Sequence, residues 1–231
     1  MSTPRPWTIT RHDALIEHEP TFWSVSGDIP GIGGMNRRMS IAKMQDSRLV
    51  FFNAVPLDDA SMNKISSWGK PWLLITPHSA HTMDAHAFST RLKLITAAPD
   101  VELAKVRKRI PDAVAISTIT TDPSITIGRF DGSKLHEPWL ISRGAGGATL
   151  VTSDIIQNSH PDSFVMRLLG FGGGPKVVPA QKLFFIKDKG AIKTALLGIA
   201  AEPNLRRWAP SHGDVLEGEV SATVAGIAAT L

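Results

Sequence analysis

The sequence predicts an α/β fold, and three observations carry that prediction. Between Trp72 and Arg109 short apolar runs alternate with amphipathic or charged stretches, strand then helix then strand then helix, the rhythm of a layered sheet. A second series of short β-prone runs, at 113–119, 124–129, 139–142 and 148–152, repeats the style less regularly. The chain has 231 residues, 42% of them hydrophobic and 20% charged, so one core can bury roughly three quarters of the unfolded surface.

Residues 1–21 read as an extended N-terminal arm, with Pro4, Pro6 and Pro20 and little periodicity; residues 22–231 read as a single domain of two similar halves sharing one core. Residues 27–34, Gly-Asp-Ile-Pro-Gly-Ile-Gly-Gly, read as a loop. The runs 39–44 and 48–54, separated by Gln45-Asp-Ser47, form a predicted hairpin. Asp58 is placed to cap a helix that reaches Trp68 and ends at Gly69. A strand over 72–76 leads into a helix that opens near Ala80 and runs to Arg91, followed by a strand over 92–97 and a charged helix over 100–109. Gly144-Ala-Gly-Gly147 is a hairpin turn between strands. A helix after Pro161, another over 191–201, a short strand near Arg207-Trp208 and a C-terminal helix after His212 complete the chain.

Composition removes several function classes. There is no cysteine, which excludes disulfides, thiolate catalysis and cysteine-ligated metal, and no tyrosine to serve as a general acid. A net charge of +4 is too small to indicate nucleic acid, and Lys105, Arg107, Lys108 and Arg109 read as a solvated helix face. The N-terminus is polar and proline-rich with no visible signal peptide, and no apolar run approaches the roughly 20 residues needed to span a bilayer. A cytoplasmic protein with a small-molecule substrate and no nucleic-acid or membrane partner is the expectation. No Gly-x-Ser-x-Gly elbow is present, which argues against a serine hydrolase of the α/β type. Residues 170–176, Gly-Phe-Gly-Gly-Gly-Pro-Lys, can cradle an anion with backbone N–H groups and Lys176, although a plain surface loop is the simpler reading.

The chemistry concentrates in residues 78–86, His-Ser-Ala-His-Thr-Met-Asp-Ala-His, directly after an apolar strand. Imidazole and carboxylate are the usual ligands of zinc and related metals. Two further candidates also follow apolar runs: Asp154 after 148–152, and His212 in Pro210-Ser-His-Gly-Asp214. On a helix from Ala80, His81 and Asp84 share a face at i, i+3, and His78 lies just before it. The metal set is therefore His78, His81, Asp84, Asp154 and His212, with His86 in reserve. Each has a plainer alternative: His78 and His81 as helix caps, Asp154 and His212 as turn residues.

These motifs follow in an order that resembles the metallo-β-lactamase-like superfamily, in particular its uncharacterised relatives with degenerate metal motifs. The resemblance rests on Arg38–Met44, Arg48–Ala54, the strand followed by the histidine cluster, Leu150–Ile155 and Pro210–Gly213, and covers roughly residues 22–231. It implies a four-layer αββα sandwich with two mixed sheets. Asp154 resembles the family's metal-bridging aspartate and His212 its final histidine; His136 is the candidate for the middle histidine. The first motif, spelled His-Ser-Ala-His-Thr-Met-Asp-Ala-His, departs from the family's His-x-His-x-Asp-His. The implied function is a metal-dependent hydrolase of unknown substrate with an atypical zinc site, iron and manganese remaining open, and Asp84 as the water-orienting group or general base. The alternatives are a binding or scaffold protein that kept the fold and lost its metals, and an iron oxidoreductase.

Overall fold

The computed structural model describes residues 5–161 and 164–231. The first four strands, β1 (Ile16–Glu19), β2 (Phe22–Ile29), β3 (Ile32–Lys43) and β4 (Arg48–Phe52), are antiparallel neighbours. Helix α1 (Asp59–Trp68) crosses over to β5 (Lys70–Ile75), which is parallel to β4. A turn of 3₁₀ helix at Ser79–Thr82 and α2 (Ala85–Leu92) lead to β6 (Ile95–Ala98), and α3 (Leu103–Val106) leads to β7 (Val114–Ala115). These strands make one seven-stranded mixed sheet in chain order. The second sheet has five strands in the order β12-β11-β10-β9-β8, built from β8 (Ile125–Arg129), β9 (Pro138–Gly144), β10 (Gly147–Thr152), β11 (Leu205–Pro210) and β12 (Leu216–Glu217). In it β10 and β11 are parallel and the other pairs antiparallel. Helices α4 (Phe164–Leu168), α5 (Pro179–Phe184) and α6 (Lys189–Ala200) lie between β10 and β11 in sequence, and α7 (Val220–Ala229) ends the chain.

The period of two along each strand explains the layering. Leu49 and Phe51 of β4 join Met62, Ile65, Ala85 and Phe88 in a core between the first sheet and its helices. Val50 and Phe52 point the other way, into a middle core where Phe22, Leu73 and Ile75 meet Leu140, Val151 and Ala209 of the second sheet. Ile141, Leu150 and Trp208, also one residue out of step, pack under α6 and α7 with Ile192, Leu196 and Val224. Three buried layers between helix, sheet, sheet and helix make the αββα sandwich. Fully burying one such side chain contributes about 1.5–3 kcal/mol, so the alternation fixes the register firmly.

The hairpin of β3 and β4 turns at Ser47, which takes φ 66°. Asp58 caps α1 by accepting the Ser61 N–H at 2.7 Å, and Gly69 ends the helix. The stretch read as a loop at 27–34 is instead a hairpin of β2 and β3, pairing Gly27 with Arg37 and Asp28 with Asn36 and turning at Gly31 (φ 82°). Gly27 is there for packing: a Cβ would stand 2.9 Å from Val55 Cγ1. The helix expected from Ala80 to Arg91 is broken. The 3₁₀ turn ends by Thr82, His81 has non-helical angles (φ −90°, ψ 19°), and α2 starts only at Ala85. The helix expected over 100–109 holds regular α geometry only at α3, and its cations are partly used: Arg107 Nε donates to Ala113 O and Arg109 Nη1 to Thr82 Oγ1.

Candidate metal centre

The parallel pairs β4/β5 and β10/β11 both end at one edge of the sandwich. Asn53 follows β4, His78 and His81 follow β5, Asp154 follows β10, and Ser211 and His212 follow β11. Strand ends of this kind expose a crevice in layered α/β folds. Three histidines converge there on one carboxylate. His78 Nε2 lies 3.0 Å and His81 Nε2 3.5 Å from Asp154 Oδ2, while His212 Nε2 lies 3.2 Å from Oδ1. The His78 and His81 ring centroids are 4.4 Å apart, and those of His81 and His212 5.4 Å. Ligand atoms of His78, His81 and Asp154 all lie within 4.8 Å of one another.

The surroundings fix which nitrogens are free. Asn53 Nδ2 donates to Arg38 O (3.1 Å) and to Ser211 Oγ (2.7 Å), and Ser211 Oγ passes its own proton to Thr152 O. The amide is thereby oriented with Oδ1 towards His81 Nδ1, 2.8 Å away, so that nitrogen must carry the proton. His212 Nδ1 lies 2.7 Å from Asn36 O, an acceptor only, and also carries a proton. With Nδ1 committed as a donor, His81 and His212 both turn Nε2 towards an ionised carboxylate, an arrangement that needs a cation or a proton between them. Asp154 Oδ1 is buried and, apart from its contact with His212 Nε2, has no hydrogen-bond partner among the described residues. Oriented imidazoles around a carboxylate fit a divalent metal.

His78 differs. It caps the 3₁₀ turn, with Nδ1 accepting the Ala80 N–H at 3.3 Å, so its Nε2 proton faces Asp154. Burial opposes charge on His78 and His212, yet the Asp154 carboxylate outweighs it and holds both above the ordinary imidazole range. Burial, helped by the His78 charge, instead pulls His81 down to about 4. Asp154 sits well below the usual carboxylate range: burial opposes its charge, but His81, His212 and His78 together more than offset that. Beneath it lies Glu137, buried, whose Oε2 accepts the N–H groups of Asp154 (2.8 Å) and Ile155 (3.1 Å). Burial and the Asp154 charge push Glu137 up to about 7.

The other expected ligands lie elsewhere. Asp84 is buried against Arg37, with Nη2 2.5 Å from Oδ2, and Arg5 Nη1 is 3.6 Å from Oδ1. The break after Thr82 removes the i, i+3 face on which Asp84 was expected beside His81, and its carboxylate serves this ion pair instead of the crevice. His86 lies on α2, its Nδ1 buried and without a hydrogen-bond partner among the described residues. His136 takes φ 46° and turns to Lys187 Nζ (3.1 Å) and Asp131 (3.7 Å), leaving its neighbour Glu137 to point inward. Sequence reasoning passed over Asn53, Asn36 and Glu137. The available signal was position alone, a polar residue at the end or start of an apolar strand.

Two spaces adjoin the cluster. A cavity of about 60 Å³ is lined by Arg37, Asn53, Met83, His81 and His212. A cleft of about 750 Å³, bordered by Arg11, Asp28, Asn36, His160 and Asp214, reaches His212 from outside.

Comparison with solved structures identifies the architecture. The chain superposes on a metallo-β-lactamase from Hirschia baltica with TM-score 0.58 and 19% identity, over 93% of this chain and 97% of that one. A metallo-β-lactamase from Erythrobacter litoralis gives TM-score 0.60 and 13% identity over 94% and 96% of the two chains. The mono-zinc form of FIM-1 from Pseudomonas aeruginosa gives 0.57 and 15% over 98% and 96%. Neither the protein-family models nor the curated proteins give a match to this sequence. The chain has the metallo-β-lactamase fold, at identities where likeness speaks for architecture alone.

Proposed function

We propose that this protein is a metal-dependent hydrolase with a single-metal centre held by His78, His81, Asp154 and His212. The observation that carries the reading is that His81 and His212, their Nδ1 atoms held by Asn53 and Asn36, both direct Nε2 at the Asp154 carboxylate. A structural neighbour, FIM-1, has a mono-zinc form, which is consistent with it. A bound zinc or similar ion would act as a Lewis acid and as a source of nucleophilic water at neutral pH. The chain's own residues do the rest. Asn53 and Asn36 hold the tautomers, and Glu137 holds the Asp154 turn through two backbone amides. Arg38, buried, ties the Pro210 and Gly213 carbonyls on either side of His212 through Nε (3.3 Å) and Nη2 (2.6 Å). The 750 Å³ cleft beside His212 receives the substrate, an ester, lactone, thioester or phosphodiester. Asp84, engaged by Arg37, is left out of the catalytic set.

The test is metal content by mass spectrometry of untagged protein purified without chelator, followed by a hydrolysis screen over those four bond types. About one zinc, iron or manganese per chain, lost on Asp154→Asn, supports the reading. No metal after incubation with excess zinc sinks it. That second outcome would favour a metal-free scaffold, a reading supported by His78, both of whose ring nitrogens already have protein partners.

A further inference from the structure

Beside the cleft, residues 161–193 combine exposed apolar side chains with an excess of cations. Of the eleven large apolar side chains exposed among the described residues, six lie on α4, α5 and their flanks: Phe164, Leu168, Leu169, Leu183, Phe184 and Phe185. Leu168 is 76% exposed and Leu183 73%, values foreign to a surface with no partner. The same segment carries six lysines and arginines against Asp162 and Asp188, while the remaining residues hold nineteen charges of each sign. The whole net charge of +4 therefore resides here.

The two helices close on each other at Gly170 (φ 88°), where a Cβ would stand 2.7 Å from Pro179 Cδ. Gly172, Gly173 and Gly174 continue at φ 87°, 79° and 91° and open a pocket of about 500 Å³ lined by His160, Arg167, Phe171 and Lys176. This is the glycine-rich stretch noted in the sequence as able to cradle an anion. The pocket shares His160 and Pro161 with the cleft that leads to His212.

We propose that α4, the glycine loop and α5 form a docking face for an anionic phospholipid surface. The basic pocket receives phosphate headgroups while the exposed phenylalanines and leucines enter the boundary with the acyl chains. Charge selects this occupant over a second copy of the chain. A two-fold contact would set the same patch against itself and oppose two faces that each carry Arg167, Lys176 and Lys182 and no acidic residue between 164 and 184, whereas an anionic bilayer complements them. The expectation of no membrane partner rested on the lack of a spanning run. Among the described residues no helix is long and apolar enough to cross a membrane, and surface docking requires none.

Co-sedimentation of the full chain with vesicles tests the proposal, comparing phosphatidylcholine alone with phosphatidylcholine containing phosphatidylglycerol. Binding is expected only to the anionic vesicles, weakening about tenfold in strong salt. The double variant Leu183→Ser/Phe184→Ser, both exposed sites, should lose binding with an unchanged Tm. Lys176→Gln with Lys182→Gln, both within the proposed face, should weaken it about thirtyfold. No sedimentation with anionic vesicles, equal sedimentation with neutral ones, or full binding by the apolar variant overturns it. So does a dimer in light scattering that the apolar variant dissociates, which assigns the face to a second copy.

Discussion

Replacing Asn53 by alanine removes the acceptor that holds the Nδ1 proton of His81, and frees the imidazole to place that proton on the nitrogen facing Asp154. Partners of metal-bound histidines commonly tune affinity by about 10–100-fold. Asn53→Ala is therefore expected to weaken zinc binding by that order, read by competition with a chromophoric chelator; unchanged affinity would refute the role. Glu137 is a different kind of support. Glu137→Ala strands two amide N–H groups in a buried turn, at about 1–3 kcal/mol each. A loss of about 2–6 kcal/mol in urea denaturation is expected, while Glu137→Gln, which keeps a carbonyl acceptor, should lose less than half of it. At this scale the sequence was legible where chemistry is rare. Histidine and aspartate after apolar runs attract notice, whereas Asn53 and Glu137 are ordinary residue types whose importance comes from what a sheet brings beside them. Asp84 misleads for the converse reason: its spacing from His81 means something only on an unbroken helix, and the chain breaks there.

Elements were most legible where periodicity and punctuation agreed. Leu49 to Phe52 alternate between two cores, and Asp58 and Gly69 bracket α1 as cap and stop. They were least legible where glycine serves packing instead of turning, as at Gly27 within β2, which made a strand look like a loop. Gly213 is the element-scale position that most directly supports the centre. It takes φ 89° after β11, and a Cβ there would stand 1.9 Å from Asn158 O, a backbone atom with nowhere to move. Its N–H also donates to Asn36 Oδ1 at 3.0 Å, in the same segment whose carbonyl holds His212. Gly213→Ala must displace the turn that carries His212. It is expected to cost more than about 2 kcal/mol, from the positive φ and the clash together. A Tm within a degree of the parent would show that the turn adapts freely.

On the scale of the molecule, the order of motifs made the two-sheet sandwich readable, because each sheet-forming run carries its own alternation; how the sheets are tied to each other was not readable. One tie is His18 of β1, whose Nε2 meets Ser24 Oγ at 2.8 Å and whose Nδ1 lies 3.6 Å from Glu217 of β12. Burial, then Arg207 and Arg38, pull this imidazole down to about 4 against the opposing Glu217 charge. The unfolded chain, titrating near 6.5, binds the proton first, so stability falls as pH drops from about 6.5 towards 4. The contribution lost by pH 5 is about 2 kcal/mol. His18→Gln should lack this dependence, so the wild-type-minus-variant stability difference should fall by about 2 kcal/mol between pH 8 and pH 5, measured by urea unfolding; parallel curves would exclude the effect. The cluster of histidines around Asp154 is the other tie. His78 and His81 extend from the seven-stranded sheet, Asp154 and His212 from the five-stranded sheet, and the three histidines meet the Asp154 carboxylate between them. A metal held there joins the sheets only in the folded state, and stabilises it by about 2.7 kcal/mol when free metal is a hundredfold above its Kd. For a chain of this size that corresponds to a rise in Tm of several degrees. Zinc should therefore raise Tm in proportion to log concentration, chelator should reverse it, and Asp154→Asn should abolish the response, because it removes the shared anion that both sheets address. A zinc response that survives in Asp154→Asn would locate binding elsewhere and leave the crevice a purely structural network of histidines around a carboxylate.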